Sequence, residues 1–360
     1  MRTRAMATPL AFAAILSLAS VGPVAAGNTS VTTPLLSALA YAPLDVESLR
    51  FEFTDWAALK ALHGGTQVTS GSPIEDRQAL LLDISHAEAS PLPWGFDRTL
   101  RSDSWGWDST DLEWEASLDG HVTVLRLRDD WDPAVLLASL EEGGWTRRDH
   151  RYGSTYGIDP AQMSKEHRSD ESMWWVTISS DERTLVLGSS DEGRQVLRRA
   201  ARADPDEVAA SPSGRVATAL DRTLAAVIRD GASGCSGTGA EHALLSDDAA
   251  TLVEAIGPLG SYQALGAGYE RAGAGEPAEG RYVFAYRRRA QAEADLAGRR
   301  RLVEEGVSTY GIPYREVSFM LTDARVAHRQ LILEVAPVLD RPGHLFDQLP
   351  ARLSLIAVCG

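Results

Sequence analysis

The sequence predicts an α+β fold: two domains whose antiparallel sheets are covered by helices, each half ordered like a ferredoxin-like split βαβ unit. Three observations carry this. Period-two apolar runs are closed by polar turns, helical patterns with caps stand between them, and the order strand, helix, two strands, helix occurs twice.

Residues 1–26 stand apart from the fold. Arg2 and Arg4 precede an apolar run from Ala5 to Val21, and Pro23 and the small residues Val24, Ala25 and Ala26 follow. That order reads as a secretory signal peptide cut after Ala26. Thr3 separates the arginines, which argues against a twin-arginine signal, and no cysteine follows to accept a lipid. An uncleaved anchor is the alternative, since the run is near the lower limit of about 17 residues for spanning a bilayer. No other segment is apolar enough, so no membrane span is expected after cleavage.

From residue 49, "LRFEFTDWAALKALHGG" reads as a short strand and then a helix capped by Thr54 or Asp55 and stopped at Gly64-Gly65. A second helix begins at Ser72-Pro73. "WGWDSTDLEWEASLDG", residues 105 to 120, then concentrates tryptophans and acids. Leu112, Trp114, Ala116 and Leu118 alternate with Asp111, Glu113, Glu115 and Ser117, which predicts a strand with its acids toward water. Glu113 and Glu115 sit about 6.6 to 6.8 Å apart at Cα, within reach of the spacing that inverting glycosidases use. An acid face in water lacks the burial that raises a catalytic pKa, so catalysis is the weaker reading. Trp105, Trp107 and Asp108, in the loop before the strand, are the preferred ligand contacts.

Asp119-Gly120 turns into the strand at Val122. Asp132-Pro133 opens a helix burying Leu136 and Leu140, stopped at Gly143-Gly144. "WWVTISSDERTLVLGSS" makes a hairpin around Ser180 to Arg183, and Ser189 with Glu192 forms a capping box for the next helix. "ARADPDEVAASPSGR", residues 201 to 215, is rich in proline, small residues and acids and reads as the join. The expected division is 27–202 for the N-terminal domain, 203–214 for the linker and 215–360 for the C-terminal domain.

In the second half, "RYVFAY" is a strand and "AQAEADLAGRRRLVEEG" a helix. "EVSFMLTDARVAHRQLILEV" is a hairpin, a short helix follows near Leu345, and "LSLIAVC" closes as a strand. "STYGI" occurs at Ser154–Ile158 and again at Ser308–Ile312, each between a helix and a hairpin. The repeat argues for duplication, with chance as the alternative; the expected local structure is a turn with Gly157 or Gly311 at positive φ.

The formal charge of −15 becomes −17 without Arg2 and Arg4, which repels nucleic acid. Lys60 and Lys165 are the only lysines. Cys235 and Cys359 in an exported chain favour a disulfide, contributing roughly 4 to 5 kcal/mol by loop entropy; two separate thiols are the alternative. The eight histidines form no HExxH pair, so no metal is expected, and neither nucleotide fingerprint nor a GxSxG elbow is present; no cofactor is expected either. The arginines at 287–289 and 299–301 interleave with acids and read as a salt-bridged helix face.

"FTDW" at Phe53–Trp56, "WGWDSTDLEWEA" and the Trp175–Ser190 hairpin together resemble exported bacterial proteins of unknown function with tandem α+β domains. The resemblance implies secretion and a duplicated fold, and brings no catalytic residues. The expected function is a secreted, non-enzymatic binding or interaction protein of the envelope, its partner an envelope protein, a glycan or a small ligand. The alternative is a glycan hydrolase using Glu113 and Glu115.

Overall fold

A computed structural model describes residues 33–44, 49–88, 106–159, 161, 174–230, 247–308, 311–347, 355–357 and 359. The expected cleavage site at Ala26, the candidate contact Trp105, and Cys235 lie outside them. Residues 32–360 form one compact unit. The fold is α+β, built on one antiparallel sheet of twelve strands.

The N-terminal half supplies β1 (Arg50–Thr54), β2 (Leu112–Leu118), β3 (Val122–Leu127), β4 (Thr146–His150), β5 (Gly153–Gly157), β6 (Trp175–Ser179) and β7 (Thr184–Leu187). The C-terminal half supplies β8 (Ala225–Asp230), β9 (Ala264–Glu270), β10 (Glu279–Ala285), β11 (Phe319–Ala327) and β12 (Gln330–Pro337). Their order is β11-β12-β10-β9-β8-β1-β2-β3-β7-β6-β5-β4. Outward from the centre, β1-β2-β3-β7-β6 on one side is matched by β8-β9-β10-β12-β11 on the other.

The halves meet where β1 pairs antiparallel with β8, Phe51 opposite Ile228 and Phe53 opposite Ala226. The expected two-domain division is not confirmed: the halves share one sheet. Nor is 203–214 an open linker. Two short helices occupy it, α6 (Pro205–Ala210) and α7 (Pro212–Ala219), with Asp204 and Ser211 as N-caps and a proline at the start of each. Those prolines, read as chain breakers, begin helices. Val208, Val216 and Ala217 are buried, and a Cβ on Gly214 would lie 1.8 Å from the Val208 carbonyl, so only glycine lets the two helices approach this closely.

Helices cover both faces. One face packs α2 (Trp56–Leu62), α3 (Ile74–Ala87), α4 (Pro133–Glu142), α8 (Asp247–Ile256) and α9 (Arg289–Glu305) over a core that includes Leu81, Leu125, Leu136, Phe284 and Leu302. The other packs α1 (Pro34–Leu39), α5 (Ser190–Ala200), α6 and α7 over Phe51, Phe53, Trp114, Val124 and Val216. Two further helices are short, α10 (Tyr314–Val317) and α11 (Gly343–Asp347).

Local signals placed several boundaries well. Asp55 caps α2 by accepting from the Ala58 N–H at 2.8 Å. Asp132 caps α4, and Ser189 with Glu192 makes the expected capping box of α5. The closing strand "LSLIAVC" is corrected: Leu355–Ala357 form a 3-10 turn. Among the described residues no helix is long and apolar enough to cross a membrane.

Candidate functional site

The tryptophan and acid stretch sits in the middle of the sheet, covered on both faces. Trp107 is 3% exposed and belongs to the core under α2 to α4. Asp108 is fully buried: it accepts from the Thr110 N–H at 2.7 Å and meets Arg77 Nη1 at 2.7 Å, while its own N–H donates to Asp111. Asp111 in turn pairs with Arg128 at 3.1 Å and accepts from the Ser70 N–H. Trp107 and Asp108 are thus corrected from ligand contacts to core. The loop before β2 is folded inward because its acid caps the 3-10 turn Ser109–Asp111 instead of meeting solvent.

Glu115 is 1% exposed. The expectation that alternate acids face water fails here for a plain reason. Period two decides which residues share a face, and it fixes a wet face only when one side of the sheet is open. With Thr54 beside it on β1 and helices above, Glu115 lies inside.

Glu113, displaced by a register shift between Leu112 and Trp114, does reach the surface. It pairs with Arg183 at 3.1 Å and lies 3.9 Å from Arg126. There it lines an open cleft of about 590 Å³ with Tyr41, Asp55, Arg126 and Asp181. Burial, with the Glu113 charge adding to it, pushes the Asp55 carboxyl up, against the pull of the Ala58 N–H. Glu115 is not part of that cleft, so the carboxyl pair proposed for glycoside hydrolysis does not converge on one space.

A second hollow lies where the end of α1, the end of α5 and α6 come together. Its volume is about 460 Å³, its floor includes Ala40, Ala42, Leu44 and Val208, and its rim carries Arg198 and Arg202. The space exists because small side chains line it. Arg199, beside them, is engaged, donating to the Tyr41 carbonyl at 3.2 Å. Acids also stand at the rim: Asp204, occupied in capping α6, and Glu207.

Arg198 is shared with a neighbouring hollow of about 380 Å³, lined by His150, Arg151, Tyr152, Asp191 and Arg194. Arg194, Arg198 and Arg202 follow one another at a four-residue spacing, so they form a single ridge along α5 and just beyond it. Burial and the nearby Arg194 push the His150 imidazole below its ordinary pKa. Sequence reasoning missed this region because the α1 segment carries no strong periodic signal. The arginine spacing on a helix already bounded by a capping box was the signal available.

Cys359 is buried. Among the described residues no group of histidines, cysteines and acids is arranged to hold a metal ion.

These features define a class, an α+β protein with one antiparallel sheet clad in helices and open grooves on one helical side. Beyond that class, comparison with protein-family models, with curated proteins and with solved structures finds no match.

Proposed function

We propose that the chain is an exported, non-enzymatic binding or interaction protein of the cell envelope or its surroundings, and that its contact surface is the groove between α1, α5 and α6. The observation carrying this is the groove itself, an open hollow of about 460 Å³ with an apolar floor, within the size range of small-molecule sites. The N-terminal signal pattern supports export, and the acidic chain disfavours nucleic acid as partner.

The same reading covers finer features of the fold. In each half two parallel strands flank one antiparallel strand: β3 and β6 around β7, connected through α4 and the β4–β5 hairpin, and β10 and β11 around β12, connected through α9 and α10. This supports two duplicated split βαβ units fused edge to edge. Cys359 is joined to Cys235 in this reading, supported by its burial and by the lack of a free thiol among the described residues.

The test is a thermal-shift screen over glycans, lipids and peptides, run on the wild type and on Ala203→Trp, which fills the groove. A ligand response lost in the filled variant is the expected result. Turnover of a glycoside, or a response indifferent to filling, overturns the proposal.

A further inference from the structure

We infer that the α1–α5–α6 groove takes a fatty carboxylate, its acid on Arg198 and Arg202 and its alkyl chain on Ala40, Ala42, Leu44 and Val208; this rests on the groove being the binding surface. The first argument is charge. On a chain of formal charge −15 the five arginines Arg151, Arg194, Arg198, Arg199 and Arg202 line two hollows that share Arg198. Some surface arginines elsewhere have acids arranged for them, as Arg289, Arg300 and Arg301 do one turn along α9, while others such as Arg287, Arg315 and Arg341 have none among the described residues. Arg198 and Arg202 have no ion pair among the described residues, though Asp204 and Glu207 line the same groove.

The bland account is the helix dipole, which favours cations in a last turn. It accounts for Arg198 and Arg199 at the end of α5. It does not account for Arg202, which lies past the helix, nor for the position of both guanidinium groups over a hollow whose apolar lining, buried at Ala42 and Val208, is half-buried at Ala40 and Leu44.

The second argument is the pairing of chemistries. An apolar trough whose rim carries three arginines against two acids, one of them occupied as a helix cap, matches a molecule apolar along its length and anionic at one end. A guanidinium fork matches a carboxylate with two parallel hydrogen bonds, and two forks four residues apart can hold one acid group from both sides. A neutral alkyl chain would leave the forks unused, and a cationic one would be repelled.

Dodecanoate below its micelle concentration is the probe, titrated into the whole chain by calorimetry, with dodecanol and dodecyltrimethylammonium as comparisons. Saturable binding of one dodecanoate is expected, with little or none for the other two. Arg198→Gln with Arg202→Gln, both exposed and harmless to the fold, should weaken it about tenfold, the loss of two solvent-exposed charge-assisted bonds. Leu44→Gln should weaken it through the floor. Charge-blind binding, or binding unchanged in the double variant, overturns the fatty-carboxylate assignment alone. If Ala203→Trp leaves every ligand response intact, the groove reading falls as well.

Discussion

The guanidinium of Arg271 stands 2.9 Å from the carboxylate of Glu88, joining the end of β9 in one half of the sheet to the end of α3 in the other. Both side chains are almost wholly buried. Glu88 also meets His63 Nε2 at 3.3 Å, His63 Nδ1 meets Asp83 at 2.7 Å, and Arg271 reaches Asp340 at 2.7 Å. A chain of paired polar side chains thus ties the two halves together away from the β1–β8 seam.

Removing Glu88 leaves Arg271 with Asp340 as its one carboxylate among the described residues, beside the Glu276 and Ala87 carbonyls. Glu88→Ala should cost about 3 kcal/mol, the lower end for a broken buried pair, seen as a lower urea midpoint. Burial pushes the Glu88 carboxyl above its ordinary pKa, with Arg271 and His63 pulling the other way. The folded chain then holds that proton more tightly than the unfolded chain. Its contribution is fully present below the ordinary carboxylate range and is lost as pH rises through the raised value. The stability of the wild type minus that of Glu88→Gln should therefore fall with rising pH in the weakly acidic range, and a flat difference would refute the shift.

Trp107→Ala should cost about 3 to 5 kcal/mol by leaving a large cavity in the core. It should leave groove binding intact once the protein is folded. Guanidinium unfolding together with dodecanoate calorimetry separates the two effects. A selective loss of ligand with full stability would return this residue to the role its composition first suggested.

The repeated pentapeptide shows how much of the fold was legible and where legibility ended. Caps, turns and strand pairs within about twenty residues were readable because their physics is local: Asp55, Asp132 and Ser189 cap the helices expected of them. Coverage was not readable. Whether Glu115 meets water depends on helices far along the chain, and the same is true of Asp108. "STYGI" lies between them. Its first copy runs through strand β5, with Tyr156 buried; in the second, Gly311 has φ of +75° and Ser308 N–H donates to Ile312 O. At its described residues the second copy thus differs in structure from the first: Gly311 is left-handed where Gly157 is in a strand, so the match does not mark structural equivalence there.

The two glycines should accordingly fail for different reasons. A Cβ on Gly157 would lie 2.0 Å from the Trp175 ring, so Gly157→Ala should cost about 1 to 3 kcal/mol by overpacking. Gly311 has open space around it, and Gly311→Ala should cost about 1 kcal/mol through its positive φ alone. Trp175→Leu should rescue the first variant and leave the second unchanged, as thermal melts of the paired variants would show.

If Cys235 and Cys359 are bridged, intact mass under non-reducing conditions should be about 2 Da below that of the reduced chain. Cys235→Ser with Cys359→Ser should then lower stability by about 4 to 5 kcal/mol on the chain-entropy estimate. Two alkylated thiols in the native protein, with no loss in the double variant, would exclude the bridge.

Lys60, one of two lysines in the chain, offers the sharpest test of the buried network under α2. Its ammonium is buried and donates to the Thr110 carbonyl, with Asp108, Asp111 and Arg128 around it. Burial pushes its pKa down; Asp111 pulls it up and Arg128 adds to the fall. The unfolded chain therefore binds this proton more tightly than the native one. Between the lowered value and the ordinary lysine value, stability should rise with pH, because the unfolded state holds more protons throughout that window. Lys60→Met keeps the length of the side chain and removes the charge. At neutral pH it should stay within about 1 kcal/mol of the wild type, since Asp108 and Asp111 keep Arg77 and Arg128 as partners. In the alkaline range the wild type should gain on it as pH climbs. Urea midpoints measured at intervals from neutral pH toward pH 10 decide the matter: parallel curves would mean that Lys60 keeps an ordinary pKa despite its burial, and that the cluster holds it as an ion.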